Sequence, residues 1–219
     1  MKTRNLLIVL VVLALIAAMA GCTPAKPVST GSFNGPNYTN DFFNLSFTIP
    51  DGWAVATKEQ MAQAFNVGAE LITGTDTATG QKLDLAKQKA LYLAFVSKLP
   101  YGDPSGFNSN INVLCENLGF TGSLLASTSK AYAELAMANI KSSTKDSGMT
   151  YAFGDIAVKQ MGGAEFAVFD ATLTYNGMEI KQRVYCTLKN KYAILFSLTW
   201  MDDTDLASLQ TIVDSIAIK

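Results

Sequence analysis

Asn176-Gly177 sits between two runs of alternating apolar and polar residues, and few features restrict a fold more tightly. A two-residue Asn-Gly link joins antiparallel strands, because both residues tolerate the left-handed backbone of a tight hairpin. Beyond it, Ile180, Gln182, Val184, Cys186 and Leu188 share one face; Glu179, Lys181, Arg183, Tyr185, Thr187 and Lys189 share the other. Period two predicts a half-buried strand with one solvated face. Gly162-Gly163 supplies a second turn, and a turn at Asn190 precedes Tyr192, Ile194, Phe196, Leu198 and Trp200 on a common face. The spacing predicts a four-stranded antiparallel meander over about 150–160, 164–175, 178–189 and 191–200.

The flanking elements follow from local signals. Leu45 to Pro50 reads as a strand, Asp51-Gly52 as a turn, and Trp53-Ala54-Val55 as the returning strand. Thr57 and Gln60 form a capping-box pattern that opens a helix to about Ile72, with Met61, Phe65 and Ile72 near one face. Thr73 to Gly80 is a polar loop, Ala90 to Lys98 and Ile111 to Cys115 are strands, and Pro100 to Ser109 is a loop. Ser127 or Thr128 caps a helix through Ile140, bearing Tyr132, Leu135 and Asn139. Asp203 or Thr204 caps the last helix, whose apolar stripe is Leu206, Leu209, Val213 and Ile216.

The N-terminus carries a different message. Lys2 and Arg4 precede an apolar run from Leu6 to Ala20, and Met19-Ala20-Gly21-Cys22 closes it. A basic start, an apolar core and a small-residue exit make a secretory signal. The run of 15 residues is short for a transmembrane helix, which needs about 20. Ordinary cleavage after Ala20 remains an alternative, but cysteine directly after Ala-Gly favours a lipobox, with Cys22 as the acylation site. That assignment rests on resemblance to bacterial lipoprotein signals, and two or more acyl chains are enough for stable anchoring. Residues 22–38 hold Pro24, Pro27, Gly31, Gly35 and Pro36 and read as a flexible tether; residues 39–219 read as one α+β domain.

Composition narrows the function. The chain has no histidine, which excludes a Ser-His-Asp triad, a Cys-His pair and any His-containing zinc site. Losing Lys2 and Arg4 with the signal leaves 15 basic against 18 acidic side chains, a balance of −3. Such a chain lacks the basic face of a nucleic-acid binder. Cys115 and Cys186 lie in apolar strands; two buried thiols are favoured, and a disulfide between them is the alternative in an exported domain.

The stretch from Asn44 to Trp53 (NLSFTIPDGW) resembles the opening hairpin of the PsbP-like superfamily, which also includes Mog-type proteins and many bacterial lipoproteins. Ile212 to Ile218 is similar to the closing helix and short strand of that group. The resemblance implies an α+β fold, an antiparallel sheet flanked by helices in an α/β/α sandwich. It implies binding to other proteins rather than catalysis, and it carries no contact residue onto this chain.

Remaining candidates have plain structural readings beside their functional ones. Asp202, Asp203 and Asp205 suit a helix start better than a calcium site, since the EF-hand spacing is missing. Trp53 and Trp200 suit packing more than a ligand pocket. Glu165 and Asp170 differ by five positions and face opposite sides of a straight strand, so they do not pair. Lys181, Arg183, Tyr185 and Lys189 give one strand a basic, aromatic face. The expected function is a lipid-anchored, non-catalytic binding or accessory protein of the envelope. It has a membrane contact through its anchor, an envelope protein partner and no cofactor, metal or nucleic acid. A carboxylate enzyme centred on Asp170, acting on glycan or peptide, and a small-ligand-binding lipoprotein are the alternatives.

Overall fold

A computed structural model describes residues 28–73, 90–145 and 147–219. The signal, the lipobox with Cys22, and most of the polar loop after Thr73 lie outside the described residues.

Twelve strands, β1 to β12, form two antiparallel sheets among the described residues. The larger joins β4 (Ala54–Val55), β5 (Ala90–Ser97), β6 (Asn110–Asn117), β11 (Tyr192–Trp200), β10 (Met178–Lys189), β9 (Ala164–Tyr175) and β7 (Thr150–Phe153) in that order, with β8 (Ala157–Met161) also on β9. The smaller joins β1 (Ser32–Asn34), β2 (Asn37–Asn40), β3 (Leu45–Thr48) and β12 (Ala217–Ile218). Helices α1 (Lys58–Thr73) and α3 (Ser129–Ser143) pack on one face of the large sheet, and the short α2 (Gly119–Leu125) leads into α3. Helix α4 (Asp203–Asp214) and the small sheet cover the other face. The fold is therefore α+β, an antiparallel sheet sandwiched between layers.

The meander forms as its turns require. Asn176 and Gly177 both take positive φ, 50° and 77°, and Asn190 and Lys191 repeat the geometry at 53° and 65°. This is the twist-matched two-residue hairpin. The first meander strand is split. Phe153 pairs with Ala171 and Ala157 with Val168, so Gly154 to Ile156 oppose only two residues of β9. That extra residue is a bulge, which breaks the ladder and bends the edge.

Three expectations need correction. The tether does not extend to residue 38: Ser32 to Asn40 form a hairpin about Gly35 (φ 58°), and Tyr38 is buried against Phe47 at 4.6 Å between ring centroids. Glycine there sets the turn rather than loosening the chain. The solvated face of β10 is interrupted at Tyr185 and Thr187, which are buried, and the Tyr185 hydroxyl donates to Gln210 Oε1 of α4 at 3.0 Å. The cap of α4 is Asp202, whose carboxylate accepts from the Thr204 amide at 2.9 Å.

Other caps are as read. The Thr57 amide donates to Gln60 Oε1 at 2.8 Å and the Gln60 amide to Thr57 Oγ1 at 3.2 Å, a reciprocal capping box. Thr128 caps α3 by accepting from the Ala131 amide. In α1, Met61 packs on the core; the side chains of Phe65 and Ile72 lie outside the described residues.

Candidate functional site: a buried polar row across the large sheet

Strands β5, β6, β11 and β10 are adjacent, and their registers align polar residues across them. Ser97 faces Asn110, Asn110 faces Thr199, and Thr199 faces Gln182. One step along, Asn112 faces Ser197. All six side chains are at most 3 % exposed. Buried polar groups need partners, and several have them. Gln182 Nε2 donates to Thr199 Oγ1 at 3.3 Å, Ser97 Oγ to the Leu99 carbonyl at 2.7 Å, and Asn110 Nδ2 to the Asn108 carbonyl at 2.8 Å. The Ser197 hydroxyl has no hydrogen bond among the described residues. Burial pushes the Tyr92 phenol well up, and the neighbouring Asn112 amide offsets part of that rise.

Farther along the same face, Glu116 is 1 % exposed. The Tyr132 hydroxyl, from α3, donates to Glu116 Oε2 at 2.7 Å. Burial, and then the carboxylate itself, push the Tyr132 phenol well above its ordinary range. Amides and hydroxyls beside one carboxylate can hold and orient a polar group; they include no activated nucleophile. Sequence reasoning missed Glu116 and this row. Asn110, Asn112 and Glu116 alternate with Ile111, Val113 and Cys115, which reads as a solvated face. The helices that cover that face come from elsewhere in the chain.

The residues singled out from sequence land separately. Asp170 is exposed on β9, and Arg183 Nε and Nη2 grip its two oxygens at 2.6 and 3.0 Å. That hydrogen bond raises the Arg183 guanidinium further and outweighs the opposing effect of burial. Glu165 accepts from Ser129 Oγ at 2.7 Å at the other end of β9. Asp203 binds Lys181 Nζ at 2.8 Å and accepts from Trp200 Nε1 at 3.2 Å, so its carboxyl lies below its usual range. Burial pushes Asp205 up, but Lys98 at 2.6 Å and Ser109 at 2.6 Å outweigh it and hold the carboxyl low. Caps and ion pairs thus account for the acidic cluster, and no metal-holding group of side chains occurs among the described residues. Trp53 and Trp200 both pack in the core on the α4 side. Lys189 Nζ donates to the Lys219 carbonyl at 2.9 Å.

Cys115 and Cys186 are free and buried. Cys115 faces Ile194 and Cys186 faces Leu195, adjacent residues of β11 whose side chains point to opposite faces. The thiols are two strands apart as well, about 9–10 Å, beyond the reach of a disulfide. The bridge considered from sequence does not form.

The architecture defines a class, the PsbP-like α+β sandwich. The chain is similar in structure to cyanobacterial PsbP (CyanoP) from Synechocystis sp. PCC 6803, with a TM-score of 0.53 and 11 % identity over 92 % of this chain and 99 % of that one. At that identity the likeness establishes the fold alone. Weaker likenesses are to a protein of Bacteroides thetaiotaomicron (TM-score 0.46, 7 % identity, 85 % of this chain and 49 % of that one) and to LpqN, involved in cell envelope biogenesis of Mycobacterium tuberculosis (0.39, 11 %, 80 % and 83 %). No protein-family model and no curated protein sequence matches the chain.

Proposed function

We propose that this chain is a lipid-anchored, extracytoplasmic accessory protein of the bacterial envelope that works by binding a partner protein rather than by catalysis. The observation that carries the reading is Met19-Ala20-Gly21-Cys22 directly behind the apolar run Leu6 to Ala20. The fold is shared with PsbP, and a fold by itself fixes no reaction. The carboxylate-enzyme alternative loses its motive, because Asp170 is an exposed residue bound to Arg183.

The test is in-cell crosslinking of the intact protein, with Cys22→Ala as control, read by quantitative mass spectrometry. One dominant envelope partner, captured only with the anchor intact, supports the proposal. Wild-type protein recovered from the soluble fraction, or turnover of a glycan or peptide by the purified protein, overturns it. The small-ligand alternative keeps one specific observation in its favour, the Ser197 hydroxyl buried without a hydrogen bond in the polar row.

A further inference from the structure

We propose that the end of the domain bearing α2 rests on the bilayer surface, with Leu124 and Leu125 entering the headgroup layer and lysines meeting anionic lipid. This inference rests on the anchor at Cys22. Leu124 and Leu125 are 65 % and 57 % exposed, the two most exposed large apolar residues described. Helix α2 joins the end of β6 to the start of α3, so it lies at one end of the sandwich. The β10–β11 turn is at that end too, since the Leu118 amide donates to the Lys191 carbonyl and Tyr192 pairs with Asn117. So is the β2–β3 turn, where Asn190 Nδ2 donates to the Phe42 carbonyl at 3.2 Å.

The chain's N-terminal segment leaves from the same end. Asn40 Nδ2 donates to the Ser29 carbonyl at 2.7 Å, and Val28 packs against the core on the α4 side. Only Thr23 to Pro27 then separate Cys22 from the folded domain. Six residue steps reach at most about 20 Å, so the anchor holds this end against the membrane. The charge fits an anionic surface. Lys130, Lys159, Lys191 and Lys219 lie at or near this end with Lys189, whose Nζ is engaged by the Lys219 main-chain oxygen at 2.9 Å, against the carboxylates Asp41 and Glu165. The carboxylates of Asp202, Asp203 and Asp205 lie at the opposite end, where α4 begins. Apolar side chains flanked by lysines are the surface chemistry of interfacial binding, and lysine attraction to anionic lipid fades within a Debye length.

The test uses the lipidated protein reconstituted in phosphatidylglycerol–phosphatidylcholine vesicles and labelled with a nitroxide at Leu124→Cys or, separately, at Asn176→Cys. Cys115 and Cys186 are buried and leave the added thiol as the reactive one in the domain. The expected result is a shift at position 124 toward collision with dissolved oxygen over a water-soluble nickel chelate, with position 176 remaining aqueous. Lys130→Gln/Lys189→Gln/Lys191→Gln reduces that shift. Flotation with the vesicles while position 124 stays aqueous overturns this inference and leaves the anchor standing. Failure of the wild-type chain to float with vesicles overturns the anchor, and this inference with it.

Discussion

Tyr132 reaches down from α3 to donate a hydrogen bond from its hydroxyl to Glu116 Oε2 at 2.7 Å, in a place where neither side chain meets solvent. A buried carboxylate that loses a donor keeps its desolvation cost, so the contact matters more to stability than a surface bond would. Tyr132→Phe should lower unfolding free energy by about 1–3 kcal/mol. Urea denaturation checks it, and a loss within error of zero would mean the bond is not formed in solution.

The thiols give a pH dependence with a definite sign. Burial pushes both Cys115 and Cys186 up to about 12, from an ordinary value of 9.0. The unfolded chain therefore releases these protons from about pH 9, while the folded chain keeps them. Stability from this source is complete below pH 9 and is lost as pH rises toward 12, by up to about 1.4 kcal/mol per pH unit for each thiol. Tyr38, also raised to about 12 by burial, adds to the loss above pH 10. Urea midpoints at pH 8 and pH 10.5 should fall farther in the wild type than in Cys115→Ala/Cys186→Ala. Equal falls would contradict the burial effect.

Thiol chemistry offers an independent check on the sheet. In Cys22→Ala protein, a thiol reagent should find no reactive group in the native state and two after denaturation without reductant. A count of zero after denaturation would require a Cys115–Cys186 bridge, which the opposed faces forbid.

Asp170 and Arg183 separate the binding and enzyme readings. The pair is partly exposed, 56 % and 28 % for the two side chains, and such pairs contribute about 0.2–1 kcal/mol. Asp170→Asn should therefore leave the fold intact and should still repair the phenotype of a null strain. A folded protein that fails to do so would return Asp170 to the role of a reacting carboxylate.

Gly163 carries the closure of the chain. Its φ is +85°, and a Cβ there would lie 2.5 Å from the Ile218 carbonyl oxygen. Gly163→Ala should cost about 2 kcal/mol or more through backbone strain and the displaced β12. A midpoint unchanged from wild type would show that β12 is not held there.

What the sequence made legible was local. Asn176-Gly177, the Thr57–Gln60 box and the Thr128 cap each depend on residues within a few positions, and each took the expected geometry. What stayed hidden was set by distant segments. Tyr185 alternates like a solvated residue, but α4 arrives some 20 positions later and Gln210 takes its hydroxyl. Glu116 and Asn112 alternate in the same way, and α3 with its neighbours turns that side into an interior. Gly31, Gly35 and Pro36 carry the composition of a linker, yet here they shape a hairpin that the Tyr38–Phe47 stack fastens to the domain.

The two termini of the folded unit are neighbours. Lys219 exchanges hydrogen bonds with Asn44, in the same turn region whose Asn40 holds Ser29. In the orientation proposed above, a reporter fused after Lys219 would emerge on the lipid-facing side and lift the domain from it. In that same proposed orientation, a small epitope between Asn176 and Gly177 would point to the aqueous side, at the tip of the β9–β10 hairpin. If the proposed orientation holds, the two ends of the sandwich are unequal places for a label.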